Sequence, residues 1–252
     1  ISQGNNAIQL IQKISEGTVY YHQIRLKEGS TIDELVDLFK NNPNLTKNKY
    51  CEDKKLLEWR MSKFFNWDGP DTEYEDSSSL EGMYRPDTYF FKKGDSCIDV
   101  LKEAGRFQWL RTVDIWEENT GCCCGGCLDL PDDLYEVKSL YEALILASII
   151  EKEGTEKEKI AGVFLRRLKL GMKLQSDPTI IYALGDEYDG DIKRSHIKMK
   201  HPYNTYYIKG LPPTPIGLIS ESSLEAVLNP EEGTSLYFVA KGDGTHHFSD
   251  TL

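Results

Sequence analysis

At 252 residues with 39% hydrophobic content, the chain is long enough to bury one large core, or a large and a small one. Its formal net charge of −11 excludes nucleic acid and anionic membrane surfaces as the main partner, because phosphate binding requires clustered Lys and Arg. No stretch approaches the roughly 20 apolar residues that span a bilayer. The chain opens on Ile1 with no basic and apolar leader behind it, so a trimmed piece of a longer protein is expected, with any membrane anchor outside it.

Residues 1–22 hold one helix-like stretch, AIQLIQKI, expected to be the remainder of a preceding unit. From Gln23 the alternation of Ile24 and Leu26 predicts a strand, Gly29 and Ser30 a turn, and Thr31 a helix cap; Leu35, Val36, Leu38 and Phe39 then follow at helical spacing. This strand, turn and helix order resembles half of a LysM-type glycan-binding unit, with KEGST in place of the usual turn, and a LysM-like subdomain is placed at 23–67. A small α+β packing module accounts for the same residues. The acidic, turn-rich GPDTEYEDSSS (69–79) reads as a loop. In LEGMYRPDTYFFKKGDS (80–96), Arg85-Pro86 enforces extended backbone and Tyr84, Tyr89, Phe90 and Phe91 carry β character. A helix is expected from Ser96 toward Trp116. It is followed by GCCCGGC (121–127), within a cysteine-rich insertion placed at about 121–128.

Cys51 and Cys97 stand alone, whereas Cys122, Cys123, Cys124 and Cys127 crowd together without the second cysteine pair or histidine pair that a structural zinc site needs. The cluster reads as a surface loop with paired or free thiols, and no metal or cofactor is expected.

From Ser139 the apolar pattern is continuous. Leu140, Leu144, Ile145, Leu146, Ala147, Ile149 and Ile150 are apolar nearly all round, which marks a helix at the centre of a domain. Glu151 and Glu153 end it. Residues two apart point to different faces of a helix, so these carboxylates have separate surroundings. Glu153 continues the stripe of Leu146, Ile149 and Ile150, while Glu151 sits with Ala147 and Ser148. A carboxyl beside apolar side chains, at the negative end of a helix dipole, has its pKa raised, as a general acid near neutral pH requires. Gly154 permits a helix stop, and Thr155 to Glu158 have the form of a capping box for a further helix.

Asp177-Pro178 reads as an N-cap with proline at the first helical position, opening a helix that Gly185 closes. HPYNTYYIKGLPPTPIG (201–217) gathers Tyr203, Asn204, Tyr206 and Tyr207 in a proline-rich loop. Aromatic faces flanked by amide and hydroxyl groups suit sugar rings, although packing beneath a loop uses the same residues. SLYFVA, the turn KGDG and THHF predict a closing hairpin, with His246 and His247 on opposite faces in structural roles.

The runs LEGMYRPDTY, LASIIEKE, VFLRRLKLGMKLQSDPTIIYALG, YNTYYIKGLPPTPI and YFVAKGDGTHHF, in that order across 80–252, resemble the MltG (YceG-like) endolytic murein transglycosylases. The resemblance implies an α+β fold, a small LysM-like N-terminal subdomain followed by a larger catalytic domain at 80–252. In it, a buried central helix carries the catalytic glutamate. It implies a protein tethered to the bacterial cytoplasmic membrane, catalytic domain outside, acting on peptidoglycan glycan strands and working with peptidoglycan synthases or divisome proteins. The family's catalytic glutamate aligns with Glu153; Glu151 is the second choice. Gln175, Asp177, Tyr203, Asn204 and Tyr206 are candidate positioners of sugar or backbone. The implied reaction cleaves the β-1,4 bond between N-acetylmuramic acid and N-acetylglucosamine without water, leaving a 1,6-anhydro end. A lysozyme-like hydrolase, a non-catalytic peptidoglycan-binding scaffold and a redox or metal protein built on the cysteines are the competing readings.

Overall fold

The computed structural model describes residues 19–65, 79–121 and 136–251, together with Ile8 and Ser15. The segments read as the leading helical stretch, the acidic loop and the cysteine cluster lie largely or wholly outside the described residues. The described elements are β1 (Tyr21–Arg25), α1 (Ile32–Lys40), α2 (Lys54–Phe65), β2 (Thr88–Lys92), α3 (Cys97–Thr120), α4 (Leu140–Glu153), α5 (Lys157–Lys169), α6 (Asp177–Leu184), α7 (Arg194–Ile197), α8 (Glu221–Leu228), β3 (Tyr237–Ala240) and β4 (His246–Ser249). Both sheets are two-stranded and antiparallel, β1 with β2 and β3 with β4.

The N-terminal core forms where β1 meets β2. Ile24 lies opposite Tyr89 and both are buried, so the alternation in each strand turns one face inward. α1 covers that face with Ile32, Leu35, Val36 and Phe39. Its start is the reciprocal cap that the sequence predicts: Glu34 N–H donates to Thr31 Oγ1 (3.3 Å), and Thr31 N–H donates to the Glu34 carboxylate (2.9 Å). This core extends past the 23–67 segment. It takes in Leu80, Tyr84, β2 and the first turns of α3, and a disulfide from Cys51 to Cys97 ties the segment before α2 to the start of α3.

α4 is the centre of the second core. Nine of its residues from Leu140 to Ile150 are buried, and it packs against α8 and α5, with α6 alongside. Arg167, buried in α5, donates from Nε to the Leu236 carbonyl (2.6 Å) and from Nη1 to the Leu174 carbonyl (2.7 Å), joining α5 to the closing hairpin and to the turn before α6. α3 is common to both halves: Ile98, Leu101 and Ala104 belong to the first core, Ile115 and Trp116 to the second. The halves also share backbone. Gly29 N–H donates to the Leu218 carbonyl, and Leu218 N–H to the Ser30 carbonyl, each at 2.8 Å. Gly82 sits at φ +76, where a Cβ would lie 2.9 Å from Pro215 Cβ, so the crossing is possible only with glycine.

Two helix starts differ from the sequence reading. α5 begins at Lys157 with Glu156 as its N-cap, so the capping box expected from Thr155 to Glu158 does not form; the Thr155 hydroxyl instead reaches the Gly244 carbonyl (3.4 Å). The N-cap position of α6 is Ser176, leaving Asp177 as the first helical residue and Pro178 in the first turn. In both cases the residue with the capping signature sits within a residue or two of the start, but its side chain has a tertiary partner instead.

Candidate active site

The last turn of α4 sends its two carboxylates in different directions, as their separate faces require. Glu151 Oε2 accepts from Ser220 N–H (3.0 Å), Ser220 Oγ (2.5 Å) and Ser223 Oγ (2.5 Å), and Lys157 Nζ lies 3.1 Å away. Burial opposes the charge, but the bonds from Ser220 and Ser223, reinforced by Lys157, outweigh it and hold the Glu151 carboxyl below its ordinary value. This glutamate is ionised and committed to tying α4 to the starts of α5 and α8.

Glu153 has the opposite balance. The residue is partly buried, and burial is the main cause that pushes its carboxyl up to about 7; the nearby Asp177 charge adds to the rise, while a hydrogen bond from Ser176 and the Arg167 charge oppose it. Ser176 Oγ donates to Glu153 Oε1 at 2.5 Å. At neutral pH the protonated and ionised forms are both well populated, so one group can give a proton and take it back. Gly154 follows in extended backbone, and its missing side chain matters for space. A Cβ there would fall 2.8 Å from His246 Cε1, so glycine lets the buried imidazole of β4 close over the end of α4. Glu156 Oε2 accepts the His246 backbone N–H at 2.7 Å, which anchors the same strand.

The other candidates divide by geometry. Gln175, Ser176 and Asp177 form the turn into α6 beside Glu153. Gln175 is exposed at φ +55, its N–H donating to the Thr205 carbonyl (3.2 Å). Asp177 is exposed, and its Oδ1 accepts the Tyr206 hydroxyl proton at 2.6 Å, so Tyr206 of the proline-rich loop is drawn to this turn. Lys173 Nζ, bonded to the Tyr206 carbonyl (2.8 Å), holds the same loop. Tyr203 and Asn204 are buried. The Asn204 amide donates to the carbonyls of His196 (3.1 Å), Ile197 (3.1 Å) and Met199 (2.7 Å), while the Tyr203 hydroxyl bonds Thr214 Oγ1 (2.7 Å). Of the two roles the sequence leaves open for them, the contacts of Asn204 and Tyr203 are those of residues that shape the loop; Asp177 and Tyr206 lie near enough to interact with the Glu153 charge, while Gln175 Oε1 reaches Arg167 Nη1 (3.5 Å). The apolar cavity between α2 and α3, lined by Phe64, Leu80, Trp109 and Leu144, includes none of these side chains.

Sequence reasoning passes over Ser176, Arg167, Lys157, Ser220 and Ser223. The available signal for Ser176 is its place before Asp-Pro, a natural N-cap position whose hydroxyl is free to bond elsewhere once Asp177 lies inside the helix. For the Glu151 partners there is no local signal, because Ser220 and Ser223 lie 69 and 72 residues away in sequence.

A partly enclosed carboxyl with a pKa near neutrality, beside a polar turn and a tyrosine-bearing loop, defines a candidate acid/base site. Comparison with known proteins agrees with that class and narrows it. The profile of the YceG-like family matches residues 1–252, and the chain belongs to this family. An endolytic murein transglycosylase of Bacillus subtilis is 31% identical over 266 residues, a match covering 100% of this chain and 68% of that protein. A Streptococcus pneumoniae protein of the same name is 38% identical over 170 residues, covering 64% of this chain and 28% of the other. The crystal structure of a YceG-like protein from Listeria monocytogenes superposes with a TM-score of 0.71 at 33% identity, covering 100% of this chain and 80% of that one.

Proposed function

We propose that the chain is an endolytic murein transglycosylase, a lyase that cuts within peptidoglycan glycan strands, with Glu153 as its acid/base. Its family relatives carry that activity in their names. The observation that carries the residue assignment is the contrast within one helical turn: Glu153 is raised to about 7, whereas Glu151 is held ionised by serine hydroxyls and Lys157.

The chemistry follows from a single carboxyl of this kind. Protonated Glu153 donates to the glycosidic oxygen, and the C1–O bond of the N-acetylmuramic acid breaks as the sugar's own acetamido oxygen bonds C1. The Glu153 carboxylate then removes the proton of the C6 hydroxyl. O6 bonds C1 as the acetamido oxygen leaves, giving a 1,6-anhydro end and restoring the acid. Paired-carboxylate glycosidases need a second acidic group as nucleophile or base; the substrate's acetamido group removes that need. Gln175, Asp177 and Tyr206 line the approach to Glu153 and orient the sugars.

The site of action is the outer side of the bacterial cytoplasmic membrane, in cell-wall synthesis alongside peptidoglycan synthases. The Cys51–Cys97 disulfide supports an extracytoplasmic setting, because such bonds persist in oxidising compartments. Glycan strands whose muramic residues have been chemically N-deacetylated test the mechanism. The acetylated strands are cut and the deacetylated ones are not; equal cleavage of both rules out assistance by the acetamido group.

A further inference from the structure

Ser176 is buried, yet the residues on either side of it are exposed. The turn that produces this arrangement includes Gln175 at φ +55, a left-handed conformation that is unfavourable for a non-glycine residue. Backbone strain of this kind persists only where the surroundings impose it, and it concentrates at functional sites.

Here the surroundings are a closed ring of hydrogen bonds. Ser176 N–H donates to Thr205 Oγ1 (3.0 Å), the Thr205 and Thr179 hydroxyls bond each other (2.8 Å), and Thr179 Oγ1 donates to the Ser176 carbonyl (2.6 Å). Thr179 and Thr205 are fully buried. The ring consumes both backbone groups of Ser176 and leaves its hydroxyl out. That hydroxyl has one proton, and it is given to Glu153 Oε1.

We propose that Ser176 is a positioning residue for Glu153: by donating to Oε1 it fixes the carboxyl rotamer and leaves the transferable proton on Oε2. A hydroxyl donating to Oε1 competes with a proton on that oxygen, so the acid form of Glu153 carries its proton on the other. No described residue hydrogen-bonds Oε2, which leaves that oxygen for the substrate. The strained turn at Gln175 and the Thr179–Thr205 ring hold the hydroxyl in place, so the carboxyl does not rotate between giving the proton to the glycosidic oxygen and taking one from the C6 hydroxyl.

This inference rests on the acid/base reading of Glu153, and its test separates the two. Ser176→Ala keeps every backbone bond of the ring, so the fold is retained. With defined, uncrosslinked glycan strands as substrate, kcat falls roughly 10- to 100-fold with KM changed less than about threefold, as for a group acting in the transition state. The alkaline limb of the rate profile moves to higher pH, because the lost bond favoured the carboxylate. Ser176→Thr, which keeps the hydroxyl, retains the wild-type limb. A Ser176→Ala enzyme with wild-type kcat and an unmoved limb overturns the positioning role, and leaves the function standing if Glu153→Gln is inactive in the same assay. Activity in Glu153→Gln overturns both.

Discussion

Glu151 and Glu153 are chemically identical and two residues apart, yet opposite consequences follow from replacing them. Glu151→Ala removes the acceptor of the half-buried Ser220 N–H and the partner of Lys157, and a loss of about 1–3 kcal/mol is expected, measured as a lower urea midpoint. Glu153→Gln removes a carboxyl that burial disfavours, so its stability is at least that of the wild type near neutral pH. The pH dependence carries a definite sign. Glu153 in α4, and Glu81 in the first core, both hold their proton up to about 7, well above the ordinary 4.5. The folded protein therefore binds more protons than the unfolded chain between these values, and the contribution of these groups is greatest below about 4.5 and declines as pH rises toward 7. Glu153→Gln makes this decline shallower; a slope identical to that of the wild type contradicts the assignment. Only the separate faces of the two glutamates were legible from helical periodicity; the Ser220 and Ser223 partners that hold Glu151 ionised lie 69 and 72 residues away and left no local signal. Ser176 was not legible either, because Asp-Pro is the stronger local cap signal and the Ser176 hydroxyl's partner lies 23 residues away.

At the scale of elements, the helices were legible wherever period and cap agreed, as at Thr31, and the closing hairpin followed from its KGDG turn. The pairing of β1 with β2 was not. The strands lie more than sixty residues apart, and nothing in a local pattern chooses a distant partner. Glu81 shows how such distant contacts are secured. Its carboxyl group, fully buried, accepts the Ile32 N–H at the start of α1 with both oxygens (3.1 Å each) and the Tyr182 hydroxyl of α6 (3.2 Å), with Lys54 of α2 at 3.8 Å. One side chain thus links both halves of the molecule. Glu81→Ala strands a backbone donor, a hydroxyl and part of an ammonium charge, and a loss of about 2–4 kcal/mol is expected in denaturant unfolding; a change under about 1 kcal/mol excludes this bridging role. At the C-terminal end of α4, Gly154→Ala places a methyl where His246 sits. Displacement of β4 is expected, seen as reduced thermal stability together with reduced activity.

For the whole molecule, the two cores are joined by α3, by the paired backbone bonds between the Gly29–Ser30 turn and Leu218, and by Glu81. The disulfide lies within the first core. It links residues 46 apart, for which chain entropy gives roughly 4 kcal/mol as an upper figure. Reduction, or Cys51→Ala with Cys97→Ala, is expected to lower stability by about 2–4 kcal/mol while leaving the Glu153 surroundings intact; an unchanged midpoint after complete reduction contradicts this. The pairing was beyond sequence reasoning, which found both cysteines isolated because the fold, not the spacing, brings them together.

The central claim is that Glu153 cuts the glycan without adding water. Mass spectrometry of the strand ends released by the wild type and by Glu153→Gln tests it most directly. The expected result is 1,6-anhydro ends, lighter by one water than hydrolysed ends, with release lowered about 100- to 10,000-fold in the variant. Reducing ends from the wild type, or anhydro ends released equally by Glu153→Gln, contradict it.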